Sequence, residues 1–284
     1  MAAYLTHLFA AKEVYERLGE EEKKLIRSPS AYYAGALGGD PFFVYRPLRK
    51  KGYNLGRLMH RKNVYGFFCA ARGFARATGD YSYIFGYITH YAADTAFHPG
   101  VYAAEYALLD ELPKNRRKDK VHFLIERDID KLLAEKLNGG SVDFRPAPPP
   151  SDEELDKACA LIEYAANKVF SIKTSRSSLK NALRRFPKQQ DYFFDPKGKR
   201  RKRFLAFENA FGLPHVLSYL FVRNPPDERF SSLPAEDGER SIAALFDQAV
   251  QKAAELISVF LAEGELDKTL FSSDFNAGKR ERKK

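Results

Sequence analysis

The stretch from Tyr81 to Phe97 is the most apolar of the chain, yet it carries His90 and Asp94, with His98 one step beyond. Its periodicity is that of a helix, and the three polar residues recur at steps of four. Four residues advance a helix by about 40° beyond a full turn, so His90, Asp94 and His98 share one face. An apolar helix with that polar face is too costly to place in lipid.

That face points to metal chemistry. The Cα atoms climb about 6 Å per step, which separates His90 from His98 by about 12 Å. With ligand bonds of about 2 Å, one zinc ion can hardly join both ends. The economical reading is two metal positions on one helix, with Asp94 binding one ion or bridging two. His122 and Glu126 repeat the i,i+4 spacing, which chelates one ion from adjacent turns. Asp40, in Gly38-Gly-Asp-Pro-Phe-Phe43, follows glycines that let the backbone approach closely. His60 opens a helix. The two cysteines, Cys69 and Cys159, are too few for a disulfide framework or a thiolate cluster, so nitrogen and oxygen must hold any metal. Each residue also has a plainer reading. His215 has no acidic neighbour at helical spacing and reads as structural, and His122 with Glu126 alone reads equally as a surface ion pair. Five of the six histidines in such settings argue against independent structural roles.

Helical periodicity dominates the remainder, and no convincing alternating strand pairs occur, which predicts an all-α, multi-helix bundle of about seven helices. Helices are expected at 4–18, from Asn54 or Met59 to Thr78, from Asp80 to Phe97 with Pro99-Gly100 as the stop, at 118–137, at 151–171 behind a Ser151/Glu154 capping box, at 205–222 and at 239–262. Residues 28–58 read as loop-rich, given their glycines and prolines. Arg145-Pro-Ala-Pro-Pro-Pro150 is a stiff boundary. It divides a metal-binding helical region, 1–145, from a C-terminal helical region, 151–284, packed as one domain with it and ending in a basic tail, 277–284. The 284 residues are 44% hydrophobic and 14% aromatic, which excludes a disordered chain. No stretch approaches the roughly 20 apolar residues of a spanning helix, and the N-terminus reads as an amphipathic helix rather than a signal peptide, so a soluble cytoplasmic protein is expected.

In order, His7, Asp40, His60, His90, Asp94, His98, His122 and Glu126 resemble the ligand series of the zinc-dependent phospholipase C family, whose fold the single-strand-specific zinc nucleases share. Thr6-His7-Leu-Phe and Tyr87-Ile-Thr-His-Tyr-Ala-Ala-Asp-Thr-Ala-Phe-His-Pro99 are the closest stretches, within a match over about residues 4–130. The resemblance implies a helical bundle around a trinuclear zinc site that hydrolyses phosphodiesters. Carried over, Asp40, His60, His90 and Asp94 would hold one zinc, and His98, His122 and Glu126 a second. His7 and the bridging Asp94 would hold a third, which the family completes with an N-terminal amine and carbonyl, usually of Trp. This chain has no Trp, so Met1 or Ala2 would have to stand there, and two or three Zn2+ ions are expected.

Closely spaced zinc ions would lower the pKa of a bridging water and neutralise phosphate oxygens as charge develops. Asp40 is the expected group for orienting or deprotonating the nucleophile, with ligation as its competing role. Three readings of function stand. The first is a phospholipase C-like phosphoester hydrolase acting on a phospholipid headgroup or a small phosphodiester. The second is a nuclease on single-stranded nucleic acid, favoured by the net charge of +10 and by basic runs at 116–118, 197–203 and 279–284. The third is a non-catalytic helical binding protein stapled by metal. The same basic runs also suit an anionic membrane surface.

Overall fold

In the computed structural model, which describes residues 4–45, 49–50 and 53–276, the chain is helical nearly throughout. The helices are α1 (Tyr4–Arg17), α2 (Glu20–Lys24), α3 (Pro29–Ala36), α4 (Asp40–Val44), α5 (Leu55–Arg61), α6 (Val64–Thr78), α7 (Ser82–Glu111), α8 (Val121–Leu137), α9 (Asp152–Phe170), α10 (Arg176–Phe193), α11 (Lys199–Ala210), α12 (Ile242–Leu261) and α13 (Lys268–Phe271). Two small antiparallel hairpins join them. In one, β1 (Arg49–Lys50) pairs with β2 (Tyr53–Asn54). In the other, β3 (Ser232–Ala235) pairs with β4 (Gly238–Ser241), with Leu233 opposite Arg240. The fold is all-α. No helix among the described residues is long and apolar enough to cross a membrane.

The long helix α7 is the axis of the bundle. Tyr83, Ile84, Phe85, Tyr87, Ile88 and Tyr91 are all buried, and the His90, Asp94 and His98 face is buried with them, so the helix is covered on every side. Helix α3 lies so close that a Cβ on Gly35 would meet the Tyr83 carbonyl oxygen at 2.1 Å. Helices α1, α8 and α12 pack around the remainder of α7. One core cluster runs from Leu5 of α1 through Tyr87 to Phe260 and Phe275, so residues on both sides of the 145–150 stretch contribute to it. Arg72 of α6 ties them further. Its buried guanidinium donates to the carbonyl of Phe260 (2.7 Å), which the end of α12 leaves without a helical partner, and to that of Gly264 just beyond it (2.9 Å).

Several sequence expectations are corrected. Helix α7 does not stop at Pro99-Gly100 but continues to Glu111. The glycine there serves packing, since a Cβ on Gly100 would meet the Leu233 side chain of β3 at 2.8 Å. Residues 28–58 hold α3, α4 and the start of α5 rather than a loop, because Ser28 caps α3, accepting from Ala31 N at 2.9 Å, with Pro29 at its first position. The expected helix ending at Thr78 is two helices, α5 and α6, broken at Asn63, which has a left-handed φ of 44°. Helix α10 was not expected, and α11 starts earlier than Leu205 and ends at Ala210. Gly212 with φ 60° and Pro214, which has no N–H, prevent its continuing to Val222. The strand pairs were missed because each strand has at most four residues. The basic tail 277–284, Met1 and Ala2 lie outside the described residues.

Candidate metal centre

Five separate elements deliver the eight expected side chains to one buried place. His7 comes from α1, Asp40 from the start of α4, His60 from α5, His90, Asp94 and His98 from α7, and His122 and Glu126 from α8. All eight are buried, and His122, at 9% exposure, is the most open. Gly38, with φ 57°, lies directly against the His90 ring; a Cβ there would approach its Cδ2 to 2.1 Å. A glycine is therefore required for α4 to bring Asp40 alongside.

The side chains form three groups whose ligand atoms lie within 4.8 Å of one another: His7, Asp40 and His90; His60, His90 and Asp94; and His98, His122 and Glu126. Asp40 thus groups with His7 as well as facing His60, whose Nε2 is 3.4 Å from its Oδ1. Asp94 is at the junction. Its Oδ1 is 3.3 Å from His7 Nε2, and its Oδ2 is 3.3 Å from His90 Nε2, 3.6 Å from His60 Nε2 and 3.9 Å from His98 Nδ1. In the third group, Glu126 Oε1 is 3.1 Å from His122 Nε2 and 3.5 Å from His98 Nε2. A cavity of about 20 Å³, lined by Thr6, His7, Asp94, His98 and Glu126 among others, separates that group from the rest, with room for about one water.

These spacings suit a shared cation better than hydrogen bonds. Ligands at about 2.0–2.1 Å in a tetrahedron lie about 3.3 Å apart, close to the separations seen here. Buried polar atoms are normally paired, yet Asp94 Oδ2, Glu126 Oε2, His7 Nδ1 and His90 Nδ1 have no hydrogen-bond partner. Among the described residues, the only cationic groups within 4 Å of the Asp94 and Glu126 carboxylates are imidazoles. Buried carboxylates so poorly compensated fit a site that takes positive charge from a bound ion.

The protonation pattern agrees. Burial favours the neutral acid, but the imidazoles of His98, His90 and His7 outweigh it and hold Asp94 well below the ordinary carboxylate range. Asp40, also buried, is held at about 2 by the facing imidazoles of His60 and His90. Burial and the neighbouring His122 act in the same opposing way on Glu126, which is lowered. Burial pushes His90 down to about 3, leaving a neutral ring with a lone pair to donate. His98 moves the other way. Despite its burial, Asp94 and Glu126 lift it to about 9, so in the absence of metal it is a cation standing in for one.

Partners behind the centre set which ring nitrogen faces it. His60 Nδ1 lies 2.7 Å from the Gly56 carbonyl oxygen, His98 Nδ1 2.5 Å from that of Phe275, and His122 Nδ1 3.1 Å from Glu105 Oε2. Oxygens of this kind only accept, so each Nδ1 carries the proton and Nε2 is turned to the centre. Asp130 of α8 plays a similar part for α1. Its Oδ1 accepts from Thr6 N (2.8 Å) and Thr6 Oγ1 (3.0 Å), fixing the turn that carries His7.

Glu105, Phe275 and Asp130 are the residues that sequence reasoning missed. Glu105 was legible in principle, since it continues the His98 face of α7 at i+7, but the supposed stop at Pro99 hid it. Phe275 had no local signal. His215, read as structural, stays outside the centre, with its Nδ1 3.2 Å from Asp119 Oδ2.

Comparison with known proteins agrees with this geometry. No curated protein and no solved structure matches the chain. The sequence model of one family, described as zinc dependent phospholipase C, matches residues 6–185 and so spans every residue of the centre. That match covers well over half of the chain and begins within a residue of His7, and this protein belongs to the zinc-dependent phospholipase C family.

Proposed function

We propose that the chain is a zinc-dependent phosphodiester hydrolase whose substrate is a phospholipid headgroup or a small soluble phosphodiester. The observation that carries this reading is the Asp94 carboxylate, which stands between imidazoles of all three groups with one oxygen unpaired. Two or three zinc ions would be held by His7, Asp40, His60, His90, Asp94, His98, His122 and Glu126. The chemistry such ions supply is a water of lowered pKa and neutralisation of the charge that builds on phosphate oxygens.

The chain's own residues have distinct tasks. Asp40 remains ionised at neutral pH and can accept a proton or a hydrogen bond from the attacking water at its carboxylate. His98 must give up its proton before its Nε2 can serve as a ligand, so loading the centre releases protons. Phe275, fully buried, covers the His60 and His90 rings at centroid distances of 4.9 and 5.8 Å and keeps bulk water from that side. His122 is the least buried of the eight, and a phosphoester would approach from its side.

The test compares turnover of para-nitrophenylphosphorylcholine and of single-stranded DNA by the protein as purified, after chelation and after zinc is restored. Zinc-dependent release of nitrophenol supports the proposal. Zinc-dependent cleavage of DNA alone transfers it to the nuclease reading, and an inert protein that melts on chelation makes the metal purely structural.

A further inference from the structure

The face built by α11 and the loop after it has no task in the centre, yet its construction is unusual. Phe211 is 68% exposed and Phe207 49%, their rings 4.8 Å apart, and Leu213 and Leu217 beside them are also exposed. Exposed apolar clusters of this kind mark interaction sites. This one is held outward by buried polar braces. Glu208 Oε1 accepts from Val216 N (2.9 Å) and Leu217 N (2.7 Å), and Asp119 Oδ1 accepts from His215 N (2.8 Å).

Charge surrounds the apolar tip. Lys199, Arg203, Phe207 and Phe211 follow one another at steps of four, so the face changes from cationic to aromatic along one line. Arg117, Lys118 and Lys120 are exposed on the connection between α7 and α8, to which the loop is hydrogen-bonded. Between residues 196 and 220 the one acidic residue is Glu208, and it is buried. Lys120 N donates to the His215 carbonyl at 2.9 Å, two residues before His122, so the face adjoins the start of α8, which carries His122.

We propose that this face docks on an anionic lipid surface, with Phe207, Phe211, Leu213 and Leu217 entering the headgroup region and the surrounding lysines and arginines neutralising acidic lipids. Both halves of the pattern are those of an interfacial contact. Aliphatic Leu213 and Leu217 give nothing to nucleobases, and a second copy of the chain would set like charges opposite one another. Docking does not require hydrolysis; that it delivers a headgroup to the centre rests on the function proposed above.

Co-sedimentation of the full chain with vesicles of phosphatidylcholine, with and without phosphatidylserine, tests this directly. Binding is expected with phosphatidylserine, weakened by salt. Combined Phe207→Ser and Phe211→Ser should weaken it at least about tenfold, and combined Lys199→Ala and Arg203→Ala about thirtyfold. Hydrolysis of a soluble phosphodiester, if present, should be unchanged in both variants, so an inactive protein that still binds vesicles overturns only the function. Vesicle binding indifferent to both variants overturns the docking face. So does tight binding of single-stranded DNA without vesicle binding, or dimerisation abolished by the Phe variants without vesicle binding.

Discussion

His122 Nδ1 on α8 and Glu105 Oε2 on α7 face each other at 3.1 Å behind the third ligand group. The carboxylate accepts a hydrogen bond from Nδ1–H, which fixes the ring and makes Nε2 a stronger electron-pair donor toward the centre. Glu105→Ala should lower affinity for a zinc ion at the His98, His122 and Glu126 group by about 10–100-fold. Competition against a chromogenic chelator measures it, and an unchanged affinity would show that Glu105 has no such role.

Asp130 anchors the start of α1 and also lies 3.5 Å from Arg127, itself buried. Asp130→Ala strands the Thr6 N–H and removes a charge partner of Arg127, and should cost about 3 kcal/mol of stability. Urea unfolding reads the loss. A variant as stable as the parent contradicts the anchoring role.

The pH dependence of the metal-free chain follows from His98. Its pKa is raised on folding to about 9, because Asp94 and Glu126 outweigh its burial. A raised imidazole pKa stabilises the fold below the unfolded value of about 6.5, and that stabilisation is lost as pH rises through the folded value. Chelator-treated protein should therefore lose about 3 kcal/mol between about pH 6.5 and pH 9. A flat melting temperature across that window would contradict it.

Phe275 closes the back of the centre, and its ring also meets Tyr91 at 4.8 Å. Phe275→Ala should cost about 3 kcal/mol through the cavity it leaves. The loosened main chain also weakens the acceptor behind His98, so zinc should dissociate faster. Thermal unfolding and zinc release to a chelator check the two effects, and neither changing would remove this segment from the account.

The parts of the centre that were legible in the sequence are the local ones. His90, Asp94 and His98, and His122 with Glu126, declare a shared face through spacing alone. His7, Asp40 and His60 come from separate elements, and only the family resemblance ordered them. Glu105 was hidden because Pro99-Gly100 has the composition of a helix stop, although burial of Val101, Tyr102 and Ala104 carries α7 through it. Gly35 was read as loop for a related reason: a glycine at a close helix crossing looks, in sequence, like one in a turn. Phe275 could not be read at all, since its contacts depend on where the chain returns after α13.

Elemental analysis of the purified protein beside Asp94→Asn tests most directly whether Asp94 joins the ligand groups. Two or three zinc ions per chain are expected in the parent, with both zinc content and phosphodiester turnover lost in the variant. A parent without zinc, or a variant that keeps its full zinc and its rate, would contradict it.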